Sequence, residues 1–184
     1  MKKSLIKVLL CIFLILLCCS GAKADSFNND DFSYGRVRTE VLSDYNSGKY
    51  CDEVYYLSSR ACGGISKNDI AVFKKDGVPV AVLYQLDGRC RERQLTDEEY
   101  NDFVSYIQEL SFDDMPNFLP YEYGVIVLDG SENEYIHISE NEKSYVYMNN
   151  PTADGFKNGE NDVYVSIINK FKSLFETGSI KTYY

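Results

Sequence analysis

His137 is the only histidine in this chain of 184 residues, so acid–base chemistry at neutral pH that needs an imidazole has to pass through it. It stands in Tyr135-Ile136-His137-Ile138-Ser139, where the two-residue period of a strand sets Tyr135, His137 and Ser139 on one face and the isoleucines on the other. The isoleucines are expected to face the core. His137 then lies on the open face, either as a general acid or base or as an ordinary solvated strand residue. The 28 Asp and Glu could supply a carboxylate pair for glycoside hydrolysis, but no spacing singles out two of them.

Asp129, Ser131, Asn133 and Glu140 match the first, third, fifth and twelfth positions of a calcium-loop template. The sixth position, where glycine makes the bend, is Glu134, and the flanks read as strands, so a polar hairpin turn explains the run. Asp154, Asn158, Glu160 and Asp162 read as a solvated loop and an acidic helix start. No metal and no cofactor is expected.

Of six cysteines, Cys11, Cys18 and Cys19 lie in an N-terminal apolar segment, leaving Cys51, Cys62 and Cys90. A regular element over Val54-Tyr55-Tyr56-Leu57 holds Cys51 and Cys62 further apart than the ~7 Å limit on Cα separation, which makes Cys90 the common partner. A three-stranded meander brings Cys62 and Cys90 to the same end of the sheet. That favours a Cys62–Cys90 disulfide with Cys51 free. There is no Cys-x-x-Cys, and one histidine is too few for a typical zinc site.

Lys2, Lys3 and Lys7 precede an apolar run from Val8 to Cys19, and Ala22-Lys23-Ala24 is a small-x-small cleavage site. This is the pattern of a removable export signal over residues 1–24, too short to span a bilayer comfortably. A lipid-bearing Cys19 is the alternative. Cleavage after Ala24 removes four lysines and no acid, so 15 basic residues face 28 acidic ones and the net charge moves from −9 to −13. Such a field repels nucleic acid and anionic membrane and speeds encounter with a basic partner.

Residues 25–34 read as a polar lead-in to a single domain over residues 35–184. Val37 to Tyr45 and Tyr50 to Leu57 flank Asn46-Ser47-Gly48 and are expected as a hairpin, with a short helix as the alternative. Ile70–Lys75, Val78–Leu86 and Arg89–Leu95 are three strands separated by Asp76-Gly77 and Asp87-Gly88, strong hairpin signals. Thr96-Asp97-Glu98-Glu99 is a capping box opening a helix whose apolar stripe is Tyr100, Phe103, Val104, Ile107 and Leu110. Gly124–Leu128, Glu134–Ser139 and Ser144–Met148 read as three further strands. A second helix carries Tyr164, Ile167, Ile168, Phe171 and Leu174, the first stripe displaced by 64 residues.

The order strand-strand-strand-helix thus occurs twice, as a βββα pseudo-repeat would give, although any two core helices share such a stripe. The expected fold is α+β: an antiparallel sheet with two amphipathic helices packed on one face.

The chain has 16 tyrosines and no tryptophan. If Val146 and Met148 face the helices, Tyr145 and Tyr147 join Tyr135 and His137 on the outer face. Tyrosine offers large contact area at small entropy cost, which suits protein recognition, though cross-strand pairing alone would also use it. The leading expectation is an exported, non-enzymatic binding protein of inhibitor or immunity-protein type. Its basic partner would be held by Tyr135, His137, Tyr145 and Tyr147. The rivals are a small secreted hydrolase using carboxylates or His137 and a lipid-anchored envelope module.

Overall fold

Hairpin chemistry between residues 67 and 94 generates the centre of the molecule. In the computed structural model, Asp76 and Gly77 both take positive φ, 53° and 79°, as a tight two-residue turn requires. They join β2 (Lys67–Lys75) to β3 (Val78–Gln85). Gly88 makes the next reversal, with Gln85 N–H donating to the Arg89 carbonyl at 2.9 Å, and leads into β4 (Cys90–Gln94). The structure describes residues 35–61, 67–85, 87–126, 130–176 and 178–183. The expected export signal and lead-in lie outside them.

These strands belong to a seven-stranded antiparallel sheet, so the fold is α+β. Its order is β6-β5-β1-β2-β3-β4-β7, with β1 (Glu53–Ala61), β5 (Ser131–Ser139), β6 (Lys143–Asn149) and β7 (Lys181–Tyr183). The register sets Tyr55 opposite both Val72 and His137, and Tyr135 opposite Val146. Among the described residues, three helices accompany the sheet: α1 (Gly35–Asn46), α2 (Asp97–Glu109) and α3 (Asp162–Ser173).

Helix α2 starts where Thr96 accepts from Glu99 N–H at 3.1 Å and the Glu99 carboxylate accepts from Thr96 N–H at 2.9 Å, the reciprocal capping box. Arg93 on β4 bonds both the Glu99 carboxylate and, at 2.6 Å, the Leu174 carbonyl that closes α3. The Arg93 guanidinium therefore satisfies a carbonyl at the negative end of α3 while holding the start of α2. Lys170 of α3 reaches Asp102 of α2 at 2.9 Å.

Two apolar clusters form, and adjacent strand residues alternate between them. Tyr55, Leu57, Ile70, Val72, Tyr135, Val146 and Met148 join Phe103 and Ile107 of α2 and Ile167, Ile168 and Phe171 of α3. Val54, Tyr56, Phe73, Val80, Ile136 and Ile138 join Val37 and Val41 of α1. Both faces of the sheet are therefore buried at its central strands.

Two expectations fail. Val37 to Tyr45 is helix, not the first arm of a hairpin: Val37 and Val41 sit one turn apart and are buried, with Leu42 and Tyr45 packed beside them. Gly124 takes φ 72° to close a 3-10 turn, and Val125 and Ile126 continue outside any strand; 127 and 128 lie outside the described residues. The described elements run α1, four strands, α2, two strands, α3 and then β7. Among the described residues, no helix is long and apolar enough to cross a membrane.

Candidate functional site

Strand pairing puts His137 beside Tyr55, and the two rings stack with centroids 4.2 Å apart and planes 13° from parallel. Each imidazole nitrogen meets a carboxylate. Nδ1 lies 3.1 Å from Asp113 Oδ1 and Nε2 lies 3.1 Å from Glu53 Oε1. Glu53 opens β1, while Asp113 belongs to a 3-10 turn, Phe112–Asp114. That turn is set by Ser111 at φ 49°, which ends α2, and by Phe112, fully buried edge-on to Tyr135 at 5.0 Å.

Three tyrosines hold the carboxylates. Tyr135 donates to Asp113 at 2.8 Å, and Tyr55 and Tyr100 donate to the two oxygens of Glu53, each at 2.9 Å. His137 is 3% exposed. Burial pulls its pKa down, but the hydrogen bonds and charges of Asp113 and Glu53 outweigh that and raise it to about 9. The bond to His137 holds the Glu53 pKa below the usual carboxylate range against the effect of burial.

At neutral pH this is an imidazolium clamped between two carboxylates and lying flat on a tyrosine ring, which favours the cation.

The four residues expected on one tyrosine face are divided. Tyr135 and His137 face the cluster containing α2 and α3, and Tyr135 is fully buried. Tyr145 and Tyr147 have the opposite parity; Tyr145 packs on the α1 side and Tyr147 is 5% exposed. The alternation within each strand is as expected. What fails is the inference from isoleucine-in to histidine-out, because α1 covers the second face. Glu53 and Asp113, 84 and 24 residues from His137, carry no local signal that would have paired them with it.

The α1-side face holds a second buried polar group. Tyr56 and Ser58 donate to Asp69 at 2.8 and 2.7 Å, and Tyr145 donates to Glu134 at 3.1 Å. Burial raises the Glu134 pKa to about 7, although the Tyr145 bond and the Arg60 charge oppose the rise.

Exposed apolar surface occurs between α2 and β5. Phe118 pairs with the β6 edge, donating N–H to the Tyr147 carbonyl at 2.7 Å and accepting from Asn149 N–H at 2.9 Å. Its buried ring stacks on Tyr123 at 5.1 Å. Pro120 starts the following 3-10 turn, Pro120–Tyr123, and Gly124 ends it. From this base Tyr121 projects 70% exposed and Ile126 88% exposed, with exposed Glu122 between them. The signal for this surface was present in Leu119-Pro120-Tyr121-Glu122-Tyr123-Gly124, where Pro and Gly bracket two tyrosines.

A polar notch of about 140 Å³ lies between α3 and the strand ends, lined by Ser59, Arg60, Asn68, Asn133 and Lys172. It is smaller than the ~300 Å³ at which small-molecule sites begin. Ser131 and Asn133 of the calcium-loop template lie in β5, whose extended backbone does not wrap around an ion; Asp129 lies outside the described residues. Cys51 and Cys90 are free thiols. Cys62 is outside the described residues; Ala61 before it ends β1, three strand spacings or about 14 Å across the sheet from β4.

The chain matches no protein-family model, no curated protein and no solved structure.

Proposed function

We propose that this is an exported, non-catalytic binding protein of inhibitor or immunity-protein type, which engages a basic protein partner through the segment 117–126. One observation carries the reading: Tyr121 and Ile126 are thrust into solvent by a segment whose base is hydrogen-bonded to the β6 edge and packed through Phe118. Solvent-exposed apolar groups on a braced segment lose little entropy on binding, and aromatic anchors dominate interface energies. The partner's charge follows from the chain's own, −9, or −13 once residues 1–24 are removed.

In this reading α2 and α3 lie together on one sheet face as scaffold, which is supported by their shared apolar cluster. The 64-residue offset between their stripes is kept as the trace of a βββα pseudo-repeat. Residues 1–24 act as the export signal, with lipidation at Cys19 as the alternative. The single domain over residues 35–184 recognises neither nucleic acid nor membrane, given its charge.

The rival is a small hydrolase, favoured by the Asp113–His137–Glu53 array. It requires substrate to displace a carboxylate from an imidazolium that already holds its proton. Incorporating a photo-crosslinking phenylalanine analogue at position 121 or 126, with position 98 on α2 as control, tests the main reading. Adducts to a basic protein at 121 and 126 alone support it. Adducts at all three positions, or at none, overturn it.

A further inference from the structure

We propose that Asp113, His137 and Glu142 form a binding site for one divalent transition-metal ion of the zinc class. Each residue contributes one donor atom, and the three atoms lie within 4.8 Å of one another. They come from three places: the 3-10 turn after α2, the middle of β5 and the β5–β6 turn.

The pair Nδ1 and Oδ1, at 3.1 Å, is already spaced for a shared ion. Two donors each ~2.1 Å from a metal are ~3.0 Å apart at a right angle and ~3.4 Å apart at the tetrahedral angle. An ion can therefore replace the bridging proton without moving strand or turn. Glu142 has to close the rest, and it is exposed on a turn held by Ser139, whose Oγ accepts from Glu142 N–H at 3.1 Å.

The supporting contacts are those of a built metal site. Glu53 holds the distant nitrogen of His137, which fixes the ring and leaves Nδ1 to ligate, and Tyr135 orients Asp113. One imidazole nitrogen with two carboxylates suits zinc or its divalent neighbours. A hard ion such as calcium does not take imidazole. Three protein ligands leave the remaining coordination to water.

The test uses the full chain without a histidine tag, stripped with chelator and titrated with Zn²⁺ by calorimetry and with Co²⁺ by visible absorption. One ion per chain is expected, with ligand-field bands but no thiolate charge transfer. Glu142→Gln, an exposed change that leaves the core intact, is expected to weaken binding at least tenfold, and Glu140→Gln on the same turn to leave it unchanged. Absence of saturable binding below about 1 mM, equal affinity in Glu142→Gln, or a cobalt–thiolate band would each overturn the site.

Discussion

Glu134 offers a perturbation whose size and sign both follow from the structure. It is 4% exposed and burial raises its pKa from 4.5 to about 7. The folded state therefore binds a proton that the unfolded chain releases near pH 4.5. The stability linked to that proton is fully present below 4.5 and is lost as pH rises through 7. A shift of roughly 2.5 units at 1.36 kcal/mol each amounts to about 3 kcal/mol.

Glu134→Gln cannot ionise and keeps an oxygen for the Tyr145 hydroxyl. Its stability relative to wild type should rise by about 3 kcal/mol between pH 4.5 and pH 8. Urea unfolding of both proteins at pH 4.5, 6 and 8 reads this directly. A difference between them that stays flat across that range would show that Glu134 ionises normally, and would refute the burial argument.

Three changes test the scaffold. Thr96→Ala removes the side-chain half of the capping box and should cost about 1 kcal/mol, with faster amide exchange confined to the first turn of α2. Phe103→Ala, at a fully buried ring edge-on to Phe171 and Tyr55, should cost about 3–5 kcal/mol in denaturant unfolding. Arg93→Met removes a charged donor to the Leu174 carbonyl and should cost about 2 kcal/mol, with exchange at the end of α3 rising most.

Features written in adjacent residues were legible. Thr96 and Glu99 cap the helix they announce, Asp76-Gly77 makes the turn it signals, and all five positions of the Tyr164 to Leu174 stripe are buried. Each depends on backbone geometry within a few residues. The orientation of His137 was not legible, because a strand between two covered faces buries both parities and alternation no longer marks solvent. Val54 to Ser58 shows the same thing, with five consecutive residues buried. Ile126 misled in the other direction: it reads as strand, but the positive-φ turn at Gly124 sends the chain outward. The carboxylates around His137 and the hydroxyls that hold them meet only through sheet register and the docking of Phe112.

The most direct measurement of the central claim is the affinity of the crosslinked basic partner for wild type, Tyr121→Ala, Ile126→Ser and Glu98→Gln, each at low and physiological salt. The account predicts that Tyr121→Ala weakens binding by about 30-fold, near 2 kcal/mol, and that Ile126→Ser acts in the same direction. Glu98→Gln should change little, and added salt should slow association. Unchanged affinity in both Tyr121→Ala and Ile126→Ser would contradict the account.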